Sequence, residues 1–322
     1  MSSVLIISES LDVHANEVEH SLLISGVNVL RFNTDRFTQD HVELVFGLGD
    51  AGDGVLVNGD FTALSNIRSV LYRRPGVPHV DVNLSGQREF AEKEAQELVK
   101  QLYFCLDAAF WVSRYDRLDR ARRKYLQLHI ASELGMRIPK TLITNSPNRI
   151  REFYATCPDG MVYKTLCSPV MRGEHGPELW GVPTTIVTPG LIKDIDLIRP
   201  TGGIFQEYVP KSYELRVTVI GRDVFTARID SQSEPSARTD WREAVAYGRV
   251  EVTPYSLPRE VQRKCLAVIK WYGLAFGAID LIRRPDGEYV FLELNPNGQW
   301  LWVEELTSQP LLVSMCRLLT TG

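Results

Sequence analysis

The sequence lacks the features that mark disulfide-rich, zinc-binding and membrane-spanning proteins. It has five cysteines, an odd number, which lie far apart and include no C-x-x-C pair. This usage fits a reducing compartment and predicts neither a disulfide framework nor a zinc site. No apolar run approaches the length of a transmembrane helix, and the opening SSVLIISES becomes polar too soon for a secretory signal. We therefore expect a cytoplasmic protein without a membrane partner.

A surplus of positive charge is missing as well. Lys and Arg number 36 against 40 for Asp and Glu, which gives a formal charge of -4. No global basic field therefore predicts a nucleic-acid partner, and any anionic ligand must be held by local charges. The six histidines show no i, i+4 pair, and we interpret them as structural. A G-x-G-x-x-G motif is absent after the first apolar run, so the N-terminal region does not by itself indicate a dinucleotide site.

What is present is the pattern of a soluble protein of two or three packed units. The chain has 322 residues, of which 44% are hydrophobic and 24% charged. VLIISES, VHANEVEHSLLISG and VNVLRFN read as strand, helix and strand, which predicts an α/β unit on a parallel sheet. Turn signals at 221–223 and 285–287 predict antiparallel hairpins, and therefore an α+β arrangement, in the C-terminal part. We predict units at 1–112, 113–187 and 188–322.

Three polar residues lie on two apolar runs joined by the turn RRPDG. In a hairpin centred there, Asp280 falls nearly opposite Glu293, and Asn295 shares the face of Glu293. Facing carboxylates on an apolar hairpin need a positive charge between them, and three hard oxygen donors suit Mg²⁺. The alternative is that Asp280 is a strand-edge acid and that Glu293 pairs with Arg283 or Arg284.

The residues upstream supply what a metal–nucleotide site needs. VYKTL places Lys164 on a strand, and FQEYVP offers a short strand with a hinge at 207–209 for the edge of a base. YELRVTVIG offers Glu214 for ribose hydroxyls and, two positions on and facing the same side, Arg216 for phosphate. The paired arginines of LYRRPGVP either hold an anion or solvate a strand edge. Together these residues predict a site for a nucleotide and Mg²⁺.

From about Arg114 onwards, the order of these motifs resembles the ATP-grasp superfamily. Five stretches carry a closer resemblance that covers nearly the whole chain: LYRRPGVP, KYLQLHIASELGMRIPKTLITNSP, QEYVPKSYELRVTVIG, DWR and ELNPNGQWLWVE. They look like the ATP-grasp peptide ligases that mature microviridin-type ribosomal peptides, the graspetides. This resemblance implies an ATP-grasp fold behind an N-terminal Rossmann-like pre-ATP-grasp domain. It also implies a homodimer.

The resemblance implies roles for individual residues. Those matched to the nucleotide and metal sites are Lys124 and Lys164 for phosphates, Glu207, Tyr208 and Val209 for adenine, Glu214 for ribose, Arg216 for phosphate, and Asp280, Glu293 and Asn295 for magnesium. Arg242 matches a residue near the terminal phosphate and the acceptor carboxylate, so Arg216, Arg242 and Lys164 are the candidate catalytic residues. Because RARRKYLQ is unusually basic, Arg123 is an alternative to Lys124. The candidate substrate contacts are Arg73, Arg74 and Asp240, with Asp194 and Asp196 on a predicted helix over 191–199 that would contact a leader peptide.

The implied reaction joins side chains within a ribosomal precursor peptide. ATP would activate an Asp or Glu carboxylate as an acyl phosphate, and a Ser, Thr or Lys side chain would then close an ester or amide macrocycle. Two alternatives share the nucleotide residues: an ATP-grasp carboxylate–amine ligase for a small molecule or amino acid, and a non-catalytic ATP-binding regulatory module. A complete magnesium triad argues against the module.

Overall fold

The N-terminal unit is built on a parallel sheet, as the strand–helix–strand pattern predicts. The structure is a computed structural model that describes residues 3–47, 52–81, 86–167, 170–172 and 179–322. In the N-terminal unit, four parallel strands are ordered β2-β1-β6-β7, and β3, β4 and β5 form a small antiparallel sheet. The elements are β1 (Ser3–Ser8), α1 (Val13–Ile24), β2 (Asn28–Asn33), β3 (Glu43–Val45), β4 (Gly54–Val57), β5 (Asp60–Ala63), β6 (Ile67–Tyr72), α2 (Arg88–Cys105) and β7 (Phe110–Val112).

The central region carries two helices and then a second sheet. Its elements are α3 (Tyr115–Ala121), α4 (Lys124–Glu133), β8 (Thr141–Thr144), α5 (Pro147–Tyr154), β9 (Met161–Lys164), β10 (Val170–Arg172), β11 (Leu179–Gly181), β12 (Thr185–Ile186), α6 (Pro189–Lys193) and β13 (Gly203–Glu207). The sheet order is β12-β9-β13-β8, with β13 between β9 and β8. The predicted boundary at 187/188 therefore cuts this sheet, and we propose that the central unit ends after β13.

The C-terminal unit is a five-stranded antiparallel sheet flanked by helices, ordered β16-β15-β14-β17-β18. Its elements are β14 (Tyr213–Ile220), β15 (Asp223–Ile229), α7 (Arg242–Ala246), β16 (Val252–Pro254), α8 (Arg259–Trp271), β17 (Phe276–Arg283), β18 (Tyr289–Asn295), α9 (Leu301–Thr307) and α10 (Leu311–Thr321). Both predicted hairpins are present. The turn at 221–223 joins β14 to β15, and the turn at 285–287 joins β17 to β18.

The single helix predicted over 191–199 is wrong. The structure has α6 and then a short 3-10 helix, Ile195–Ile198, with Asp194 at the break between them. Asp196 accepts hydrogen bonds from both Arg151 and Arg199. The backbone of Asp194 (φ -94°, ψ 10°) leaves the α-helical region, so the segment divides there into two short helices.

The central sheet has a hydrophobic core separate from those that join the N-terminal and C-terminal sheets. One core includes Leu5 and Val70 of the N-terminal sheet together with Leu215 and Leu281 of the C-terminal sheet. The central sheet packs on its own cluster, which includes Met161 and Phe205. The N-terminal and C-terminal units are thus packed as one body, with the central sheet beside it. Within the described ranges, no helix is both long and apolar enough to span a bilayer.

Candidate active site

A cleft of about 1610 Å³ opens between the central and C-terminal sheets. Small-ligand pockets usually enclose about 300–1,000 Å³, so this cleft has room for a nucleotide and a second substrate. The predicted site residues that line it are Arg74, Lys124, Lys164, Glu207, Tyr208, Val209, Glu214, Arg216, Asp240, Arg242, Asp280, Glu293 and Asn295. Arg73, Asp194 and Asp196 are not among its lining residues. Most of the predicted constellation is therefore brought together in one place.

The carboxylate pair lies where the hairpin pattern places it. Asp280 on β17 is the direct partner of Glu293 on β18, and an irregularity in the pairing follows Asp280. Asn295 donates its side-chain N–H groups to Asp280 Oδ2 at 3.2 Å and to Glu293 Oε1 at 3.1 Å. Three polar side chains thus meet at the end of one strand pair.

Cations surround this pair. Lys124 Nζ lies 2.5 Å from Glu293 Oε2, and Arg242 Nη2 lies 2.9 Å from Glu293 Oε1. Arg216 Nε lies 3.3 Å from Asp280 Oδ1. The alternative that Glu293 pairs with Arg283 or Arg284 is therefore wrong. Between Arg123 and Lys124, these contacts favour Lys124, because the Arg123 guanidinium is bound to Asp119.

The surroundings shift the acidity of the two carboxyl groups in opposite directions. Burial, the largest effect, raises the pKa of Asp280 to about 6. Burial also acts to raise the pKa of Glu293, but Lys124, Arg242 and Lys164 together outweigh it and hold that pKa well below its usual value. Burial lowers the pKa of Lys164 itself. Glu293 is the strongly charged member of the pair.

The donor set fits magnesium. Asp280 Oδ1 and Arg216 Nη1 are buried and make no hydrogen bond within the described part of the chain, so this corner of the cleft is polar and incompletely satisfied. Among the described residues, no group of three His, Cys, Asp or Glu side chains gathers, so two carboxylates and the Asn295 amide form the candidate set. Mg²⁺ is commonly held by one or two carboxylates plus waters and substrate phosphates. Asn295 would offer its oxygen only with its amide reversed.

The predicted hinge lines the cleft at the end of β13. Tyr208 N–H donates to the Gly160 carbonyl at 2.8 Å, and the Glu207 carboxylate accepts from Lys140 N–H at 3.0 Å. Val209 is buried beside Ile282. Because the Tyr208 N–H already has a partner, we expect a base to meet the hinge through the backbone of Glu207 and Val209 and through apolar contact.

Lys211 is a residue that sequence reasoning missed. Its Nζ lies 2.6 Å from Glu214 Oε1, and both side chains are almost fully buried. Burial raises the pKa of Glu214, and Lys211 opposes that effect. A lysine directly after the hinge proline and three residues before Glu214 was the available signal.

Two tryptophans flank the guanidinium of Arg216. Its carbon lies 5.4 Å from the ring centre of Trp241 and 5.8 Å from that of Trp302, which are distances typical of cation–π contact. Trp241, the middle residue of DWR, was not predicted as a site residue. Trp302 lines the cleft, whereas Trp300 is buried in the adjoining core.

Comparisons with known proteins find a matching family model and similar solved structures. A family model described as the MvdD pre-ATP grasp domain matches residues 3–119. The macrocyclase MdnC from Microcystis aeruginosa MRC, solved with its precursor peptide MdnA, is 31% identical, with a TM-score of 0.87, over 98% of this chain and 99% of that chain. The chain belongs to the microviridin-type ATP-grasp peptide ligases.

Two further ATP-grasp peptide ligases of known structure are similar over their full length. A RiPP-associated ligase from Chryseobacterium gregarium, in complex with ADP and a leader and core peptide, is 27% identical with a TM-score of 0.85, over 99% of this chain and 97% of that one. The macrocyclase MdnB from Microcystis aeruginosa MRC is 28% identical with a TM-score of 0.82, and both chains are covered completely. A comparison with curated protein sequences finds no match.

Proposed function

We propose that this peptide ligase closes macrocycles in a ribosomal precursor peptide at the expense of ATP. One observation carries the proposal: the cleft combines a carboxylate pair ringed by cations with far more space than a nucleotide fills. Its relatives MdnC and the Chryseobacterium ligase were solved with precursor peptides. Their likeness to this chain over its full length supports a peptide substrate rather than a small molecule.

The residues divide the cleft into a nucleotide part and a reacting part. We assign adenine to the hinge at 207–209, ribose to Glu214, and the phosphates to Lys124 and Lys164. Asp280, Glu293 and Asn295 would hold magnesium, which when bound neutralises phosphate charge and orients the terminal phosphoryl group. Arg216 and Arg242, which already contact the carboxylate pair, would face the transferring group.

The reaction requires stabilisation of negative charge and exclusion of water from the site more than it requires a protein nucleophile. A peptide carboxylate oxygen attacks the terminal phosphorus of ATP, and ADP leaves. A hydroxyl or amine of the same peptide then attacks the acyl carbon, phosphate leaves, and the net result is the loss of one water for each link. Preorganised cations in a water-poor site stabilise both steps. The aromatic contacts of Arg216 keep it in place for this role.

The peptide contacts are assigned to the mouth of the cleft and to the central unit. Arg74 and Asp240 line the cleft and would meet the core region of the peptide. Asp194 and Asp196 lie outside the cleft, where they would contact the leader. Asp196 is already held by Arg151 and Arg199, so Asp194 is the freer of the two to bind a basic leader residue. The family resemblance also supports a homodimer, which light scattering on the purified protein would test.

Intact mass of a co-expressed candidate precursor tests the function. With ATP and Mg²⁺ we expect the mass to fall by whole water molecules with wild-type protein and to stay unchanged with Glu293→Gln. Glu251→Gln, which alters an exposed carboxylate near β16, is the matched control and should behave as wild type. ADP release without any loss of water would favour the small-substrate ligase, and no ADP release with any acceptor would favour the regulatory module. Stability of the links to hydroxide would separate amide from ester.

A further inference from the structure

The order of the parallel sheet creates a crevice at the carboxyl ends of β1 and β6. The chain passes from β1 to β2 on one side and later to β6 on the other, so the topology switches direction beside β1. In open α/β sheets, ligands bind in the crevice at such a point. Here the residues just beyond the two strands are Glu9–Asp12 and Arg73–Arg74. The crevice receives the turn that follows β18, in the C-terminal unit.

That turn begins at a candidate magnesium ligand. Gly298 N–H donates to the Asn295 carbonyl at 3.1 Å, which closes a four-residue turn with Pro296 second and Gly298 last, as type I turns prefer. Asn297 is the third residue. Because the turn is closed by its own hydrogen bond, a group that fixes Asn297 also fixes the backbone of Asn295.

Arg73 and Arg74 both donate hydrogen bonds to this third residue. Arg73 Nη1 donates to the Asn297 carbonyl at 2.6 Å, and Arg74 Nη2 donates to the same oxygen at 3.0 Å. The Asn297 side-chain amide in turn donates to the Arg73 carbonyl. Hydrogen bonds donated in both directions therefore connect the end of β6 to the turn after β18.

Arg73 is itself held deep in the N-terminal unit. Its backbone N–H donates to the Ile7 carbonyl at 2.9 Å, and its Nε lies 3.7 Å from Asp12 Oδ2. Only 2% of Arg73 is exposed, and Nη2 is buried without a hydrogen-bond partner in the part of the chain that the structure describes. An incompletely satisfied buried charge is a poor way to stabilise a fold, so a role in geometry is the better explanation.

His14, at the start of α1, holds the far end of the same segment. Its Nε2 accepts from Trp300 N–H at 3.0 Å and from Leu301 N–H at 3.4 Å. These N–H groups begin α9, which has no side-chain cap of its own. The segment from Asn295 to Leu301 is thus fixed at two points by the N-terminal unit.

We propose that Arg73 is a positioning residue that acts through Asn297 to hold the magnesium ligand Asn295 in place. This inference rests on the proposed function, because it assumes that the cleft binds magnesium with a nucleotide. It differs from the predicted substrate contact, since Arg73 is buried and is not among the residues that line the cleft. Groups that orient metal ligands typically change metal affinity by about 10–100-fold when they are removed.

The test is the magnesium dependence of ADP affinity, measured by titration calorimetry in the presence of Mg²⁺ and in EDTA. In wild-type protein we expect Mg²⁺ to tighten ADP binding. In Arg73→Met, which keeps an unbranched apolar side chain but removes the guanidinium donors, we expect this tightening to fall by roughly tenfold. Affinity in EDTA should stay within about twofold. Arg68→Met, at an exposed arginine of β6 itself, should match wild type.

The other outcomes are equally decisive. If Arg73→Met keeps the full effect of Mg²⁺, or weakens ADP binding equally with and without it, Arg73 does not position the metal ligand. If that variant does not fold, Asn297→Ala removes the hydrogen bond from the Asn297 side-chain amide to the Arg73 carbonyl. It must then show the same loss of Mg²⁺-dependent ADP affinity. If Arg73→Met loses the tightening by Mg²⁺ but the wild-type protein never modifies a peptide, the positioning role is supported and the proposed function is overturned. No coupling in wild type overturns both.

Discussion

At the scale of single residues, the paired carboxylates show how a site can hold charge in advance of its ligand. Glu293 is kept ionised by Lys124 and Arg242 at 2.5 and 2.9 Å, whereas burial raises the pKa of Asp280 to about 6. The charge of Glu293 is thus balanced by protein cations, whereas Asp280 Oδ1 is buried without a hydrogen-bond donor in the described part of the chain. A divalent cation between them would relieve Asp280 and release Lys124 and Arg242 towards phosphate oxygens.

His14 gives a pH prediction at this scale. Burial, and then the charge of Arg73, lower the pKa of His14 from 6.5 to about 3. The unfolded chain therefore binds a proton that the folded chain excludes, so His14 contributes stability above about pH 6.5 that is lost as the pH falls towards 3. By about pH 5 we expect wild type to have lost about 2 kcal/mol relative to His14→Gln, which keeps an acceptor but does not titrate.

Urea unfolding of wild type and His14→Gln at neutral pH and at about pH 5 measures this difference directly. Carboxylates that titrate in the same range affect both proteins equally and cancel in the comparison. Parallel loss of stability in the two proteins would show that His14 is accessible to protons in the folded state. Protonation of His14 would act on the start of α9, because only the neutral imidazole can accept the hydrogen bonds from the N–H groups of Trp300 and Leu301.

The residues that sequence reasoning found and missed differ in a physical way. Asp280, Glu293 and Asn295 are fixed relative to each other by one hairpin, so alternation along two strands and one turn signal suffice to place them. Lys211 pairs with Glu214 only three residues along the chain, so a sequence signal for it was available. Trp241, in contrast, acquires its role from Arg216, which lies far away in the sequence. Arg73 was predicted from its neighbour Arg74, but only the packing of two units separates a buried arginine from one that lines the cleft.

At the scale of elements, the turn after β18 gives a steric prediction. A Cβ added at Gly298 would lie 2.7 Å from the Ala278 Cβ and 3.3 Å from the Asn295 carbonyl oxygen. Neither neighbour can move without shifting β17 or the turn, so we expect Gly298→Ala to destabilise the protein by about 1–3 kcal/mol. It should also weaken ADP binding in the presence of Mg²⁺ more than in EDTA.

Gly190→Ala is the matched control for that variant. A Cβ at Gly190, in α6, would meet only Thr188 Oγ1 at an ordinary 3.6 Å, and alanine favours the helix. Thermal unfolding followed by circular dichroism, together with ADP titrations, compares the two variants. Equal behaviour of both would mean that the turn adjusts to the extra methyl group and does not hold Asn295 rigidly.

Elements were predicted best where a period and a turn signal coincide. Both hairpins of the C-terminal sheet have their turns at the predicted Gly and Pro-Asp-Gly signals. The pattern over 191–199 failed because the backbone of Asp194 leaves the α-helical region between α6 and the 3-10 helix, which apolar spacing does not reveal. The place of β13 was missed since it follows α6 in sequence but inserts between β9 and β8.

At the scale of the whole molecule, the division of the hydrophobic cores predicts how the protein opens. The N-terminal and C-terminal sheets share one core, whereas the central sheet has a smaller one of its own. The cleft lies between the central sheet and that larger body, and Lys164 and the hinge belong to the central side. Stability is therefore distributed unevenly, and the smaller unit is the one expected to open at lower free energy.

Hydrogen exchange measured by mass spectrometry tests this distribution. In the free protein we expect amides of β8, β9 and β13 to exchange faster than those of β1, β6, β14 and β17, because fewer buried apolar side chains hold them. ADP with Mg²⁺ should slow exchange in β9, β13 and the hinge most strongly, since the nucleotide would join the two sides of the cleft. ADP in EDTA should protect the hinge but have less effect near β18. Uniform exchange in all three sheets, or protection confined to the N-terminal unit, would contradict both the division of the cores and the placement of the nucleotide between them.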